Sequence, residues 1–209
     1  MNGDVALQPW PPAVDLVGRN AIITPLMLSH APALTEAVRD GELWRLWYTT
    51  IPSPDQMEAN IEERLANRRK GTWLPFVVIE RSSGLPVGMT SYMNIDAGNR
   101  RLEIGSTWYR RSVQRTAINT ECKRMLLGRA FEDLGCIAVE LRTHFFNTQS
   151  RRAIEALGAK LDGILRSHTR TTEGLLRDTC VYSIIASEWP TVRRHLDWRL
   201  EVGAMARGD

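Results

Sequence analysis

The sequence predicts a single α/β (α+β) domain, with a mixed, mostly antiparallel sheet of six to seven strands flanked by helices. Three features of the 209-residue chain predict it. Three apolar runs between residues 73 and 109 are joined by two tight turns, which makes an antiparallel meander. A helical stripe over 118–134 then leads to another strand, so a parallel pair is expected across that crossover. A hairpin within 164–185 completes the sheet.

In chain order, residues 1–18 carry Pro9, Pro11 and Pro12 and read as an extended lead-in. Asn20–Thr24 is a short apolar strand ending at Pro25. Ser29 is placed to N-cap a helix in which Ala33, Leu34, Ala37 and Val38 share a face. Residues 42–48 read as a short aromatic helix, broken at Pro52-Ser53-Pro54, and a polar helix follows to about Arg69. Trp73–Glu80 and Pro86–Asn94 flank the turn Ser82-Ser83-Gly84, and the turn Asp96–Asn99 leads into Leu102–Tyr109. Ile118, Cys122, Met125, Leu126, Ala130 and Leu134 form the helical stripe, with Gly135 placed as the residue that ends it. Residues 137–142 alternate as a strand, and Asn147 is placed to N-cap a short helix ending at Leu157-Gly158. Ile164–Arg170 and Leu176–Ile185 turn at Thr172-Glu173-Gly174. A helix from 187 to about 201 precedes a polar tail, 203–209, expected to fray. The domain proper is therefore read as 19–202, without repeats.

Composition is that of an ordinary globular chain, 43% hydrophobic and 24% charged. No stretch approaches the ~20 apolar residues of a membrane-spanning helix. Met1-Asn2-Gly3-Asp4 lacks the basic and apolar regions of a secretory signal. Cys122, Cys136 and Cys180 stand far apart, and His30, His144, His168 and His195 have no ligand spacing. Reduced thiols, a cytoplasmic location and no metal are expected. The formal charge of +3 is small and spread out, so neither nucleic acid nor membrane is expected as a partner. Arg-Arg pairs at 68–69, 100–101, 110–111, 151–152 and 193–194 read as solvated surface, with one or two open to an anionic ligand.

The strand–turn–helix unit over 102–134 is the strongest local signal. A turn feeding a helix N-terminus presents unpaired N–H groups and the positive end of the helix dipole, an anion site suited to a pyrophosphate. Asn119 or Thr120 would cap the helix, and Glu121 would fall in its first turn. On this segment alone, a capped helix without a ligand is the simpler reading.

The turn Gln114-Arg115-Thr116-Ala117-Ile118-Asn119-Thr120-Glu121 resembles motif A of the GNAT N-acetyltransferase superfamily. It is most similar to the RimJ/RimL-like branch, where the turn commonly reads Gln-Arg-Thr-Gly-x-Asn-Thr-Glu. Further matches follow in order: Leu-Glu-Ile-Gly-Ser-Thr-Trp at 102–108, Phe-Glu-Asp-Leu-Gly at 131–135 and Val-Glu-Leu-Arg-Thr at 139–143. Asn147-x-x-Ser150, Leu157-Gly158-Ala159 and Arg177-Asp178-Thr179 complete a likeness that covers roughly residues 15–190.

The resemblance implies a GNAT-like sheet with a central CoA-binding unit, acetyl-CoA as co-substrate and no metal. A primary amine, either a protein N-terminal α-amine or a small molecule, would attack the thioester directly. Gln114, Arg115, Thr116, Ala117, Ile118, Asn119 and Thr120 would hold the pyrophosphate. Thr107, Trp108 and Tyr109 would present backbone groups to the pantetheine arm and the thioester oxygen. Asn147 would contact that arm, Ser150 would offer a hydroxyl to the thiolate, and Arg115, Arg151 and Arg152 are phosphate candidates by charge. Glu103 is the candidate base, against the plainer reading of a solvent-facing carboxylate on an alternating strand. Trp44, Trp47 and Tyr48 would shape the acceptor pocket or else simply pack on the sheet, and His144 is expected to be an exposed strand end. Dimers are frequent in the family, so a homodimer is an expectation by analogy.

Two positions depart from the family pattern. Ala117 occupies the usual Gly position, where a positive φ would cost about 1 kcal/mol and a helical φ nothing. Ile154 stands where many relatives carry a Tyr that protonates the departing thiolate. These departures motivate the alternative of a catalytically weak or inactive CoA-binding or interaction module.

Overall fold

A computed structural model describes residues 10–171 and 173–205. Leu16–Val17 (β1) and Ala21–Pro25 (β2) open the sheet, and helices Ala31–Arg39 (α1) and Met57–Arg69 (α2) follow. Leu74–Glu80 (β3), Pro86–Asp96 (β4) and Arg101–Tyr109 (β5) form the expected meander. Ala117–Gly128 (α3), prolonged by a π-helical turn at Arg129–Asp133, crosses to Ala138–His144 (β6). Thr148–Glu155 (α4), the hairpin Lys160–Arg170 (β7) and Leu176–Ile185 (β8), and Trp189–Met205 (α5) complete the chain.

The strands form one eight-stranded sheet in the order β1-β2-β3-β4-β5-β6-β8-β7. Among the described residues only β5 and β6 run parallel, as the crossover helix predicts. The strand beyond the expected six to seven is β1, a two-residue strand within the segment read as lead-in. Helix α5 likewise continues to Met205, into the stretch read as a tail. Residues 1–9 and 206–209 and the turn residue Thr172 lie outside the described residues.

Apolar side chains bury on both sheet faces. The larger cluster joins Phe76, Tyr92, Ile104, Val139 and Tyr182 to Cys122, Leu126 and Leu127 of α3 and Leu196 of α5. The smaller joins Leu34 and Val38 of α1 and Met57 and Ile61 of α2 to Val77, Met89 and Trp108. Helices α2 and α3 therefore cover opposite faces of β4 and β5, and this frames the site.

Three local expectations need correction. Ser29 lies inside a 3₁₀ turn, Leu28–His30, and α1 begins only at Ala31. The aromatic segment 42–48 forms one 3₁₀ turn, Leu43–Arg45, because Gly41 and Glu42 are both left-handed and too few residues remain to nucleate a helix. Helix α3 begins at Ala117 with Thr116 as its N-cap, not at Asn119 or Thr120, so Glu121 lies beyond the first turn.

Candidate active site

Strand β5 leaves its parallel neighbour early. Its register with β6 runs from Arg101↔Ala138 to Glu103↔Glu140 and stops. Beyond Glu103 the β6-facing edge of β5 has no strand partner, so its backbone groups look into the gap. Register with β4 slips between Met89 and Ser91, where Ser106 takes a left-handed φ of 49°, and β5 bulges at Ser106–Thr107. Thr107, Trp108 and Tyr109 lie on this edge. The Trp108 and Tyr109 rings are buried in the two cores, so their backbone is what they can offer to a ligand.

Next comes the turn into α3. Gln114 donates through Nε2 to the Tyr109 carbonyl at 2.9 Å, tying the turn to the strand end. Thr116 Oγ1 donates to Val113 O at 2.7 Å and accepts from Ile118 N at 3.3 Å. The left-handed residue is Arg115, φ 63°, whereas Ala117 is the first helical residue. The Ala117 methyl therefore carries no backbone strain. The first N–H groups of α3, those of Ala117 and Asn119 among them, have no intrahelical acceptor. A cavity of about 450 Å³ lies against Thr116, Ala117 and Ile118, with Arg19, Asn20, Glu80, Arg81 and Ser82 on its other side.

Glu103 is buried (6% exposed), contrary to the plain reading of a solvent-facing carboxylate. Asn94 Nδ2 donates to its Oε2 at 2.7 Å, and Arg142 Nε lies 3.6 Å away. Burial pushes the carboxyl above its ordinary pKa, while the Arg142 charge and the Asn94 hydrogen bond pull it partway back. His144 at the end of β6 is also buried rather than exposed (3%). Its Nδ1 accepts from Phe146 N at 3.1 Å, and its Nε2 is buried without a hydrogen-bond partner. Burial, assisted by Arg177, lowers its pKa against the pull of Asp178.

The other sequence candidates separate. Trp47 packs edge-on against His144 at 5.1 Å and near Tyr48 and Phe146, so Trp47 and Tyr48 do meet the end of β6. Trp44 packs on the smaller core instead. Asn147 Oδ1 accepts from Ser150 N at 3.0 Å, the predicted N-cap at the start of α4. Arg151 is engaged with Tyr182 Oη at 3.1 Å and lies over the Phe145 ring. Arg115 and Arg152 are exposed. Ile154 packs into the larger core. Among the described residues no three His, Cys, Asp or Glu side chains are grouped to hold a metal ion, and no helix is long and apolar enough to cross a membrane.

Residues 20–160 match the Acetyltransferase (GNAT) domain. The chain belongs to the GNAT acetyltransferase family. The first GCN5-type likeness is structural: the chain superposes on a GCN5-related N-acetyltransferase from Brucella melitensis with TM-score 0.82 and 28% identity, covering 92% of this chain and 87% of that one. It also shares its fold with RimJ of Mycobacterium smegmatis (TM-score 0.74, 21% identity, 91% and 96% covered), solved with CoA-disulfide. In sequence it is 32% identical over 102 residues to YdaF of Bacillus subtilis (strain 168), which is named as a ribosomal N-acetyltransferase. That alignment takes in 49% of this chain and 55% of YdaF, so the chain spans about half the length of this curated relative. The GNAT chain thus shares its fold with RimJ, the branch that its turn at 114–121 resembles.

Several neighbours of the candidate site were not legible in the sequence. Arg19 and Arg81 reach the cavity at Thr116–Ile118 from the β1–β2 and β3–β4 turns. Asn94 and Arg142 hold Glu103, and two buried cations, Arg64 and Lys123, reach the β5 bulge. For Arg64 and Lys123 the available signal was a charged residue beside an apolar helical stripe, which is indistinguishable from ordinary surface charge, and the others lie on strands and turns where a polar residue is unremarkable.

Proposed function

We propose that this chain transfers the acetyl group of acetyl-CoA to a primary amine, with a protein N-terminal α-amine as the favoured acceptor. The observation that carries this reading is the juxtaposition of the unpaired β5 edge with the N-terminal turn of α3. The turn would receive the pyrophosphate on the free N–H groups around Ala117–Asn119, with Arg19 and Arg81 lining the cavity there and Arg115 in the turn itself as positive charge. Backbone groups of Thr107–Tyr109 would align the pantetheine arm and the thioester oxygen. The amine nitrogen attacks the thioester carbon, its proton passes to Glu103, and the C–S bond breaks. The sulfur leaves as a thiolate, which Ser150 can stabilise by a hydrogen bond and which finally takes up a proton. Trp47 and Tyr48 border the acceptor side next to His144.

Two considerations favour an α-amine. YdaF is named for acetyl transfer in the ribosomal context. An α-amine, with a pKa near ~8, also reaches the neutral form more readily than a lysine side chain near ~10.4. The alternative of an inactive module loses one of its two supports, since Ala117 sits in the helix without strain.

Asn119→Leu is expected to weaken acetyl-CoA binding about tenfold in calorimetry, by placing a branched apolar side chain where the pyrophosphate would sit. Unchanged affinity would remove the turn as the cofactor site. Trp47→Ala is expected to raise KM for the acceptor several-fold while leaving acetyl-CoA affinity intact. Thiol release across peptide N-termini, polyamines and small amines tests the acceptor class.

A further inference from the structure

We propose that two buried cations, Arg64 of α2 and Lys123 of α3, clamp the β5 bulge from opposite sheet faces and hold positive charge against the thioester oxygen. This rests on the acetyl-transfer reading above and names residues that would support its transition state.

The clamp is built from consecutive hydroxyl residues on two strands. Arg64 Nη2 donates to Ser106 Oγ at 2.7 Å, and Nη1 donates to Ser91 Oγ at 3.2 Å and to the Ser106 carbonyl at 3.5 Å. Its Nε donates to Asn60 Oδ1 at 2.8 Å. From the other face, Lys123 Nζ donates to Thr107 Oγ1 at 2.8 Å and reaches Thr90 Oγ1 at 3.5 Å. The two threonine hydroxyls are themselves 2.8 Å apart. Thr90-Ser91 and Ser106-Thr107 are the residues at which the β4–β5 register slips.

Every one of these partners is neutral. Arg64 and Lys123 are 4% and 6% exposed, and a buried cation without a carboxylate partner is strongly penalised. Burial lowers Lys123 to about 8, with Cys122 and Glu103 drawing it back up, and Arg64 to about 10, with Glu63 opposing. Two such charges flanking one bulge are explained if negative charge arises there during turnover. The thioester oxygen gains that charge when the amine adds and loses it when the C–S bond breaks. Neither cation needs to touch substrate. They act through Ser106 and Thr107, so both are positioning residues.

Lys123→Met keeps the shape and removes the charge. It is expected to lower kcat about tenfold or more while changing acetyl-CoA affinity by less than about threefold. Its Tm should hold or rise, because an unpaired buried charge has been removed. In the wild-type chain kcat should fall as pH rises through and above about 8, where Lys123 loses its proton, and Lys123→Arg should move that limb to higher pH. Full kcat in Lys123→Met overturns the clamp, as does a kcat loss that merely tracks a fall in Tm. If Lys123→Met does not fold, Thr107→Val breaks the same bond from the strand, and unchanged kcat there overturns it. A wild-type chain that releases no thiol with any amine overturns the acetyl-transfer reading and the clamp together. Wild-type turnover matched by Lys123→Met overturns the clamp alone.

Discussion

Glu103→Gln is expected to lower kcat/KM for the amine about a hundredfold while leaving acetyl-CoA affinity unchanged. The carboxylate is buried on the sheet face that α2 covers, beside the point where β5 and β6 part. Folding raises its pKa, so more of it is protonated near neutrality than an exposed glutamate would be. As a base it must be ionised. Activity should therefore rise with pH through a limb lying above the ordinary carboxylate range, and that limb should vanish in Glu103→Gln. Stability runs the other way. A carboxyl whose pKa is raised by folding binds protons more tightly in the native state, so its ionised form counts against the fold at neutral pH. Glu103→Gln should thus hold or raise Tm while lowering turnover. A variant that keeps the acidic limb in its pH–rate profile would remove Glu103 as the base.

Much of the fold could be read from the chain because its elements carry strong periodic signals. The runs at Leu74–Glu80 and Pro86–Asp96 are bounded by Gly- and Asp-containing turns, and burial of both faces gives the first of them near-continuous hydrophobicity. The α3 stripe ends at Gly135, which does take a positive φ of 64°. Misplaced boundaries arose where two residues competed for one role. Thr116 and Asn119 are both good caps, and the choice fell to Thr116 because its hydroxyl also reaches the Val113 carbonyl. The strand β1 was hidden because two residues beside a proline-rich stretch show no alternation.

The site was legible in part. Its turn is local in sequence, so residues 114–120 could be placed on one helix entry. The bulge at Ser106–Thr107 could not, because neither its left-handed φ nor the register slip leaves a compositional mark. Buried charge was the least readable feature. Glu103, Arg64 and Lys123 look like solvent-facing residues of ordinary elements, and only tertiary packing puts them beside the split in the sheet. His144 was misjudged for the same reason, since Trp47 that covers it lies far away in sequence.

Glu121→Ala is expected to lower unfolding stability by about 3 kcal/mol, a fall in Tm of roughly 6–12 °C for a domain of this size. The Glu121 carboxylate accepts three backbone N–H groups at once, from Arg19 at 2.7 Å, Asn20 at 2.8 Å and Ala21 at 2.9 Å. It thereby ties the turn between β1 and β2 to the side of α3. Removing it strands three donors, including the buried one of Ala21, and donors bound to a charged acceptor are the costliest to lose. Glu121→Gln is expected to recover only part of the loss, because its amide nitrogen would face a donor. Gly18→Ala should act in the same direction, since a Cβ there would meet Glu121 Cδ at 2.6 Å. Arg19 and Asn20 also border the cavity at Thr116–Ile118, so the loosened turn should weaken acetyl-CoA binding along with the fold. Thermal unfolding with and without acetyl-CoA separates the two effects: an unchanged Tm would mean that water replaces the carboxylate. A lowered Tm with unaltered cofactor affinity would mean that the β1–β2 turn takes no part in the site.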